Sequence, residues 1–368
     1  CDSLQKNPPR DRFDLVIGNP PYRRVRLAPD LRDKFKRGLF GHANLYGVFT
    51  DIALRHTRIG GVIAFVTPTS FLAGEYFKNL RGLLGSEAPP QHLDFVAARK
   101  GVFDDVQQET ILATYRRGGA PARAEVKELH ITSRSHHDLV PLGEFSLPAD
   151  PSTPWILPRT IRQTMTVKQL QTCKHHLVDW GYTVSTGPLV WNRFKDQLHN
   201  RKAKNRLPLI WAESVQTDGR FEWRATKRNH QPWFEIHEGD RWLIAKQHCV
   251  LLQRTTAKEQ HRRLIAAPLP SEFIEKYGAV VIENHLNMLK PLGTNPAVSA
   301  EVLSAFLNSS AADQAFRCVS GSVAVSAYEV EALPLPSPDA LEGLQSLIDQ
   351  KADCAAIESE CLRLYKDA

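Results

Sequence analysis

The sequence predicts an α/β fold: an open sheet with crossover helices over residues 1–118, followed by a less regular α+β domain. Three observations carry this. Apolar runs of strand length alternate with stretches of helical periodicity in the first 118 residues. Proline and glycine then punctuate residues 119–158. Beyond them the alternation is lost, while Lys, Arg and Trp accumulate.

Phe13 to Ile17 is an apolar run closed by Gly18, the pattern of a buried parallel strand. A polar, Arg-rich stretch runs from Arg23 to Gly41. Leu45, Val48, Phe49, Ile52 and Leu54 recur at roughly helical spacing and predict a helix over 45–59, stopped by Gly60-Gly61. Val62 to Val66 predicts a second buried strand, ended by Pro68. Phe71, Phe77, Leu80 and Leu84 predict a helix over 70–84, and strands follow at 92–97 and 110–115. Strand–helix alternation at these spacings implies a parallel sheet with a ligand site beyond the carboxyl ends of its strands. Asn19-Pro20-Pro21-Tyr22 lies at such an end.

Residues 119–158, with Pro121, Pro141, Pro148, Pro151 and Pro154, read as a linker with some edge structure. Residues 159–338 form the second domain, with β-like runs at Trp242–Ile244 and Val280–Ile282 and a helix over 302–316. Pro334, Pro336 and Pro338 break the chain, and residues 339–368 predict one terminal amphipathic helix. There is no repeat and no low-complexity tract.

The length of 368 residues suits two domains, each with an ordinary core. No apolar run reaches the ~20 residues of a membrane span, so no membrane partner is expected. A net charge of +7 suits a polyanion, and its distribution says more. Residues 151–300 hold 22 Lys and Arg against 12 Asp and Glu, together with all seven Trp. The six Cys form no Cys-x-x-Cys and no metal-ligand spacing with His, which predicts reduced thiols in a cytosolic protein without a metal. His136-His137 and His175-His176 read as solvent or loop histidines.

The tetrapeptide carries the chemistry. An exocyclic amino nitrogen conjugated to a purine ring is a poor nucleophile, because its lone pair is delocalised. Two acceptors gripping its two hydrogens favour a pyramidal, more nucleophilic nitrogen. Asn19 supplies an amide oxygen, and Pro20 a backbone carbonyl held in place by its fixed φ. Tyr22 can stack on a base that has left the duplex. Such a site transfers a methyl group in line from a sulfonium donor by positioning and desolvation, without a metal or covalent intermediate.

Phe13 to Tyr22 resembles motif IV of the N6-adenine DNA methyltransferases of type II restriction–modification systems, the TaqI-like group. Leu45-Tyr46-Gly47-Val48-Phe49 and Gly60 to Pro68 resemble the next helix and strand of that family. Arg81 falls where these enzymes often carry Arg. Gly101-Val102-Phe103 with Glu109 to Leu112 is similar to motif VIII. The resemblance covers about the first 118 residues and implies part of a class I, Rossmann-like S-adenosylmethionine-dependent sheet. It implies that Asn19 and the Pro20 carbonyl hold the adenine amino group, with Tyr22 and Phe103 on the two faces of the flipped base. It implies that Pro21 lies against S-adenosylmethionine, that Leu45 and Phe49 line the pocket for its adenine, and that Asp2 accepts a hydrogen bond from that adenine. The family's glycine-rich cofactor turn is absent, and its place precedes the tetrapeptide. With Cys1 where a Met would start, the expectation is a chain lacking an N-terminal piece and binding cofactor weakly or not at all.

The second domain is expected to recognise the DNA target. Arg193, Lys195, Arg201, Lys202 and Lys204, with Arg224, Lys227 and Arg228, are the expected phosphate contacts. Leu303 to Ser309 and Leu333 to Pro336 resemble the ends of specificity domains in restriction–modification proteins. The implied partners are double-stranded DNA and, functionally, a cognate restriction endonuclease, with the enzyme a cytoplasmic bacterial monomer. Three alternatives stay open: a methyltransferase acting on RNA or a protein glutamine, a DNA-specificity module without activity, and a fusion with a nuclease before Cys1. The first is disfavoured by some 200 basic, Trp-rich residues after the sheet, the second by the intact tetrapeptide.

Overall fold

The computed structural model describes residues 4, 10–97, 109–120, 123–133, 136–256, 261–320 and 324–366. They form two compact units: residues 1–168 with 318–322, and residues 169–317 with 323–368.

The first unit is built on a six-stranded sheet. Its strands are β1 (Phe13–Gly18), β2 (Thr57–Pro68), β3 (Pro90–Val96), β4 (Thr110–Arg116), β5 (Arg123–Ser133) and β6 (His136–Ser146). Their order is β1-β2-β4-β3-β5-β6. The β1–β2 and β3–β5 pairs are parallel, whereas β4 runs antiparallel between β2 and β3. The sheet is therefore mixed, not wholly parallel. The segment expected as linker and edge structure supplies β5 and β6, an antiparallel pair at the sheet's far edge. At the near edge β1 leaves Phe13, Leu15 and Ile17 exposed by 44%, 52% and 73%.

Helix α1 (Pro29–Lys34) lies within the polar stretch. Helix α2 (Leu45–His56) starts where the Asn44 side chain accepts the Tyr46 N–H at 2.9 Å. It ends three residues earlier than the periodicity predicts. Thr57 is already extended and pairs with Phe13, and Gly60, at φ +80°, lets β2 bulge before it rejoins β1 at Val62. The buried Asp51 carboxylate ties α2 to the preceding segment through Arg37 at 2.5 Å and pairs within the helix with Arg55 at 2.8 Å. The helix expected over 70–84 is instead two 3₁₀ turns followed by α3 (Lys78–Glu87). Arg81 of α3 is fully buried. Its guanidinium donates to the carbonyls of Phe71, Gly74, Ser152 and Thr153 at 2.8–3.0 Å. This clamp draws residues 151–155 onto the sheet unit, where Trp155 packs edge-on against Phe71. Helix α4 (Thr164–Leu170) follows.

The second unit holds two sheets. Its strands are β7 (Tyr182–Thr186), β8 (Leu198–His199), β9 (Arg206–Ile210), β10 (Trp233–Glu235), β11 (Ile244–Ala245), β12 (Val250–Gln253), β13 (Ala266–Pro268), β14 (Val280–Ile282) and β15 (Leu286–Pro291). One sheet is ordered β11-β14-β9-β10-β8 and the other β13-β12-β15-β7. Alternation along the strands splits the core. Ile210, Val280 and Ile282 pack with Leu251 and Met288, while Leu209 and Val281 pack with Trp211 and Phe234. Helix α5 is Ser271–Tyr277. The helix expected over 302–316 is broken into α6 (Ala300–Leu307) and α7 (Ser310–Val319). Helix α8 (Ala327–Glu331) carries a capping box from Ser326 and Glu329. The single terminal helix expected is also two, α9 (Glu342–Asp349) and α10 (Cys354–Lys366). Lys351 takes φ +54° between them, and Asp353 caps the second through the Ala356 N–H.

Candidate active site and basic surface

The chain leaves β1 at Gly18, where a Cβ would meet Phe65 Cε1 at 3.1 Å, so the turn into the tetrapeptide hugs β2. Asn19 is exposed, Pro20 is buried, Pro21 is exposed and Tyr22 is half-buried. The Tyr22 hydroxyl lies 2.9 Å from Asn19 Oδ1 and 2.8 Å from the Val66 carbonyl of β2. Its one proton can be given to one of these acceptors at a time. Burial pushes this hydroxyl up to about 12, so it is neutral at any physiological pH. Residues 23–25 then run back along 43–45. Val25 N–H donates to Ala43 O and Leu45 N–H to Arg23 O, which fixes the return path beside the start of α2.

A cavity lies on each side of the tetrapeptide. The first, of about 270 Å³, is lined by Val16 to Pro21 with Phe49, Ile52, Ala53, His56 and Phe65. Its walls are mostly apolar, a lining that suits a flat ring system. The second, of about 240 Å³, is lined by Tyr22, Arg24, His42, Asn44, Pro68, Ser70, Tyr76 and Phe77. It is more polar, and its aromatic walls are linked: the His42 and Tyr76 rings lie 5.4 Å apart, and Arg24 sits 5.3 Å above Tyr76.

Of the residues expected to bind cofactor, Pro21 and Phe49 meet in the first cavity. Leu45 is buried in the core and does not line it. Asp2 and Phe103 lie outside the described residues. Ile52, Ala53 and His56 were missed, although they follow Phe49 at three, four and seven residues along the same helix face. The second cavity's Arg24, His42 and Tyr76 come from irregular segments, where spacing carries no signal.

In the second unit, Arg193, Lys195, Arg201, Lys202, Lys204, Arg224, Lys227 and Arg228 are all exposed. Strand register does not gather them. The segment before β8, with Arg193 and Lys195, meets the sheet at the start of β9, whereas residues 226–232 enter β10 at the other end. Several cations are already neutralised: Arg206 donates to Glu235 at 2.8 Å, Arg220 to Asp218, and Arg224 to Glu222. Lys202 leans over Trp233 and Tyr277. The Trp residues mostly build core. Trp180 and Trp211 are fully buried, and Trp223 and Trp233 join an aromatic cluster with Phe273 and Tyr277. Among the described Trp, Trp242 is the exposed one, at 62%.

The sequence profile of the Eco57I restriction-modification methylase family matches residues 4–103. The chain is 27% identical over 345 residues to the type II methyltransferase M.BsuBI of Bacillus subtilis, across 91% of this chain and 67% of that protein. It is likewise 27% identical over 349 residues to the type II methyltransferase M.PstI of Providencia stuartii, across 92% of this chain and 68% of that one. The type IIL restriction-modification enzyme MmeI, solved in complex with DNA, shares the fold with a TM-score of 0.51 at 10% identity, over 96% of this chain and 54% of its own. The chain thus spans about two thirds of these curated relatives and about half of MmeI. The likeness to MmeI is one of fold alone. Over residues 4–103, then, the chain is similar to the Eco57I restriction-modification methylase family.

Proposed function

We propose that this chain carries the amino-gripping part of the active site, and the DNA-reading domain, of an enzyme that methylates N6 of adenine in double-stranded DNA within a restriction–modification system. The observation that carries the reading is the position of Asn19 to Tyr22. They stand at the carboxyl end of a parallel strand, between an apolar cavity and an aromatic, polar one.

Asn19 Oδ1 and the Pro20 carbonyl accept the two amino hydrogens of the target base, turning the nitrogen lone pair toward the reacting carbon. Tyr22 presents its ring to a base turned out of the duplex, and the aromatic walls of the second cavity receive it. On the other side, Pro21, Phe49 and Phe65 fit the adenine ring of S-adenosylmethionine. That cofactor supplies an electrophilic methyl group on its sulfonium. Phe103 and Asp2 complete the expected set as second base wall and cofactor acceptor. The second unit grips the duplex through its unneutralised cations.

The test is direct. The full-length protein, duplex DNA and methyl-labelled S-adenosylmethionine should yield labelled N6-methyladenine after DNA digestion. Label in protein or RNA, and none in DNA, overturns the substrate. Asn19→Ala should abolish transfer and leave DNA binding within about twofold of wild type. Retained transfer removes Asn19 from its role.

A further inference from the structure

The loop from Thr226 to His230 is held more tightly than its exposed position requires. It leads into β10 and folds over Glu213, which sits on the 3₁₀ turn Ala212–Ser214 just after β9. The Glu213 side chain is only 11% exposed. Its carboxylate accepts the Thr226 N–H at 2.8 Å, the Thr226 hydroxyl at 2.9 Å and the Lys227 N–H at 3.4 Å, and faces His230 Nδ1 at 2.8 Å. Burial opposes ionisation here, but the His230 and Thr226 bonds outweigh it and hold the carboxyl below its usual range. The His230 ring stacks on the buried Trp211, with centroids 3.8 Å apart and planes 8° from parallel. Trp211 Nε1 donates to Gln231 O at 2.8 Å, and the His230 N–H closes a turn on Lys227 O at 2.9 Å.

Both feet of the loop are therefore fixed, and Lys227, Arg228 and Asn229 project from it, all exposed. Unlike Arg206, Arg220 and Arg224, Lys227 and Arg228 have no ion pair among the described residues. A largely covered carboxylate that orders the backbone of a surface loop implies that the shape of its tip matters. The tip residue types match a duplex. Arg presents two donors to guanine O6 and N7, and Asn pairs with adenine N6 and N7, in the major groove. Register places the exposed Trp242, which precedes β11, at the same end of the sheet. Three strand spacings separate the starts of β10 and β11, about 14 Å, near the ~12 Å width of a major groove.

We infer that Arg228 and Asn229 read base edges of the DNA target, with Lys227 on a flanking phosphate, and that Glu213, His230 and Trp211 are the positioning residues that hold this reading loop. The inference rests on the DNA-methylation reading above and adds specificity-determining residues to it. It is tested with the full-length protein on a pool of randomised duplexes, sequencing the methylated molecules. Arg228→Ala and Asn229→Ala should each lose about ten- to a hundredfold on the preferred site and accept other base pairs at one position. Lys227→Ala should weaken binding evenly across sequences and lower the salt slope by about one. The three side chains are exposed, and an unchanged melting temperature confirms that the variants fold. A wild type with sharp site preference, whose Arg228 and Asn229 variants keep that preference, overturns the inference alone. A wild type that methylates no duplex overturns the activity, and this inference with it.

Discussion

Asn19 and Tyr22 share one hydrogen-bond problem. The tyrosine hydroxyl has two acceptors within reach and one proton to give. Donation to Val66 leaves Asn19 Oδ1 free for a substrate amino group, and donation to Asn19 competes with substrate. Tyr22→Phe keeps the ring and removes this choice. If the hydroxyl steadies the amide, kcat should fall roughly tenfold, about 1.4 kcal/mol, with KM for DNA unchanged. An unchanged kcat would leave the ring as the only functional part. Arg81 acts on stability. It serves four carbonyls from a fully buried position, so Arg81→Met strands several buried acceptors at once. The expected loss is on the order of 3 kcal/mol, read as a lower urea midpoint; a loss under about 1 kcal/mol would mean that water or a shifted turn replaces the guanidinium.

At the scale of elements, what could be read from sequence followed from how locally each element is determined. Strand β1, the β2 core from Val62 to Val66, and β14 were legible because continuous β-branched runs have few other uses. The tetrapeptide's place at a strand end followed from β1 alone. The end of α2 was not legible. It depends on the pairing of Thr57 with Phe13, 44 residues away in sequence, which no local pattern reports. The direction of β4 escaped for the same reason, since an apolar run is equally suited to either sense. The Trp residues were visible as a group, but their burial was not: composition gives side-chain type, and only packing separates Trp211 in the core from Trp242 on the surface. The basic clusters were legible as charge, while their partial neutralisation by Glu235, Asp218 and Glu222 was decided by loop geometry.

At the scale of the whole molecule, buried phenols set a limit on alkaline tolerance. Burial holds the Tyr22, Tyr46 and Tyr182 hydroxyls at about 12, against 10.0 for an exposed tyrosine. The folded form keeps these protons where the unfolded chain gives them up. Stability from this source is intact below pH 10 and is lost as pH rises toward 12. The melting temperature should therefore fall steeply between pH 10 and 12, and a flat profile there would show that these hydroxyls reach water. The exposed flank of β1 has a practical consequence as well. Phe13, Leu15 and Ile17 line a strand whose outer backbone edge is open among the described residues, which is a template for another copy. A fragment of these 368 residues expressed by itself should form associated species by sedimentation, and Leu15→Lys should return it to a single slow boundary; identical boundaries for both fragments would acquit this edge. The strand that delivers Asn19 to its site is thus also the one that decides how such a fragment keeps.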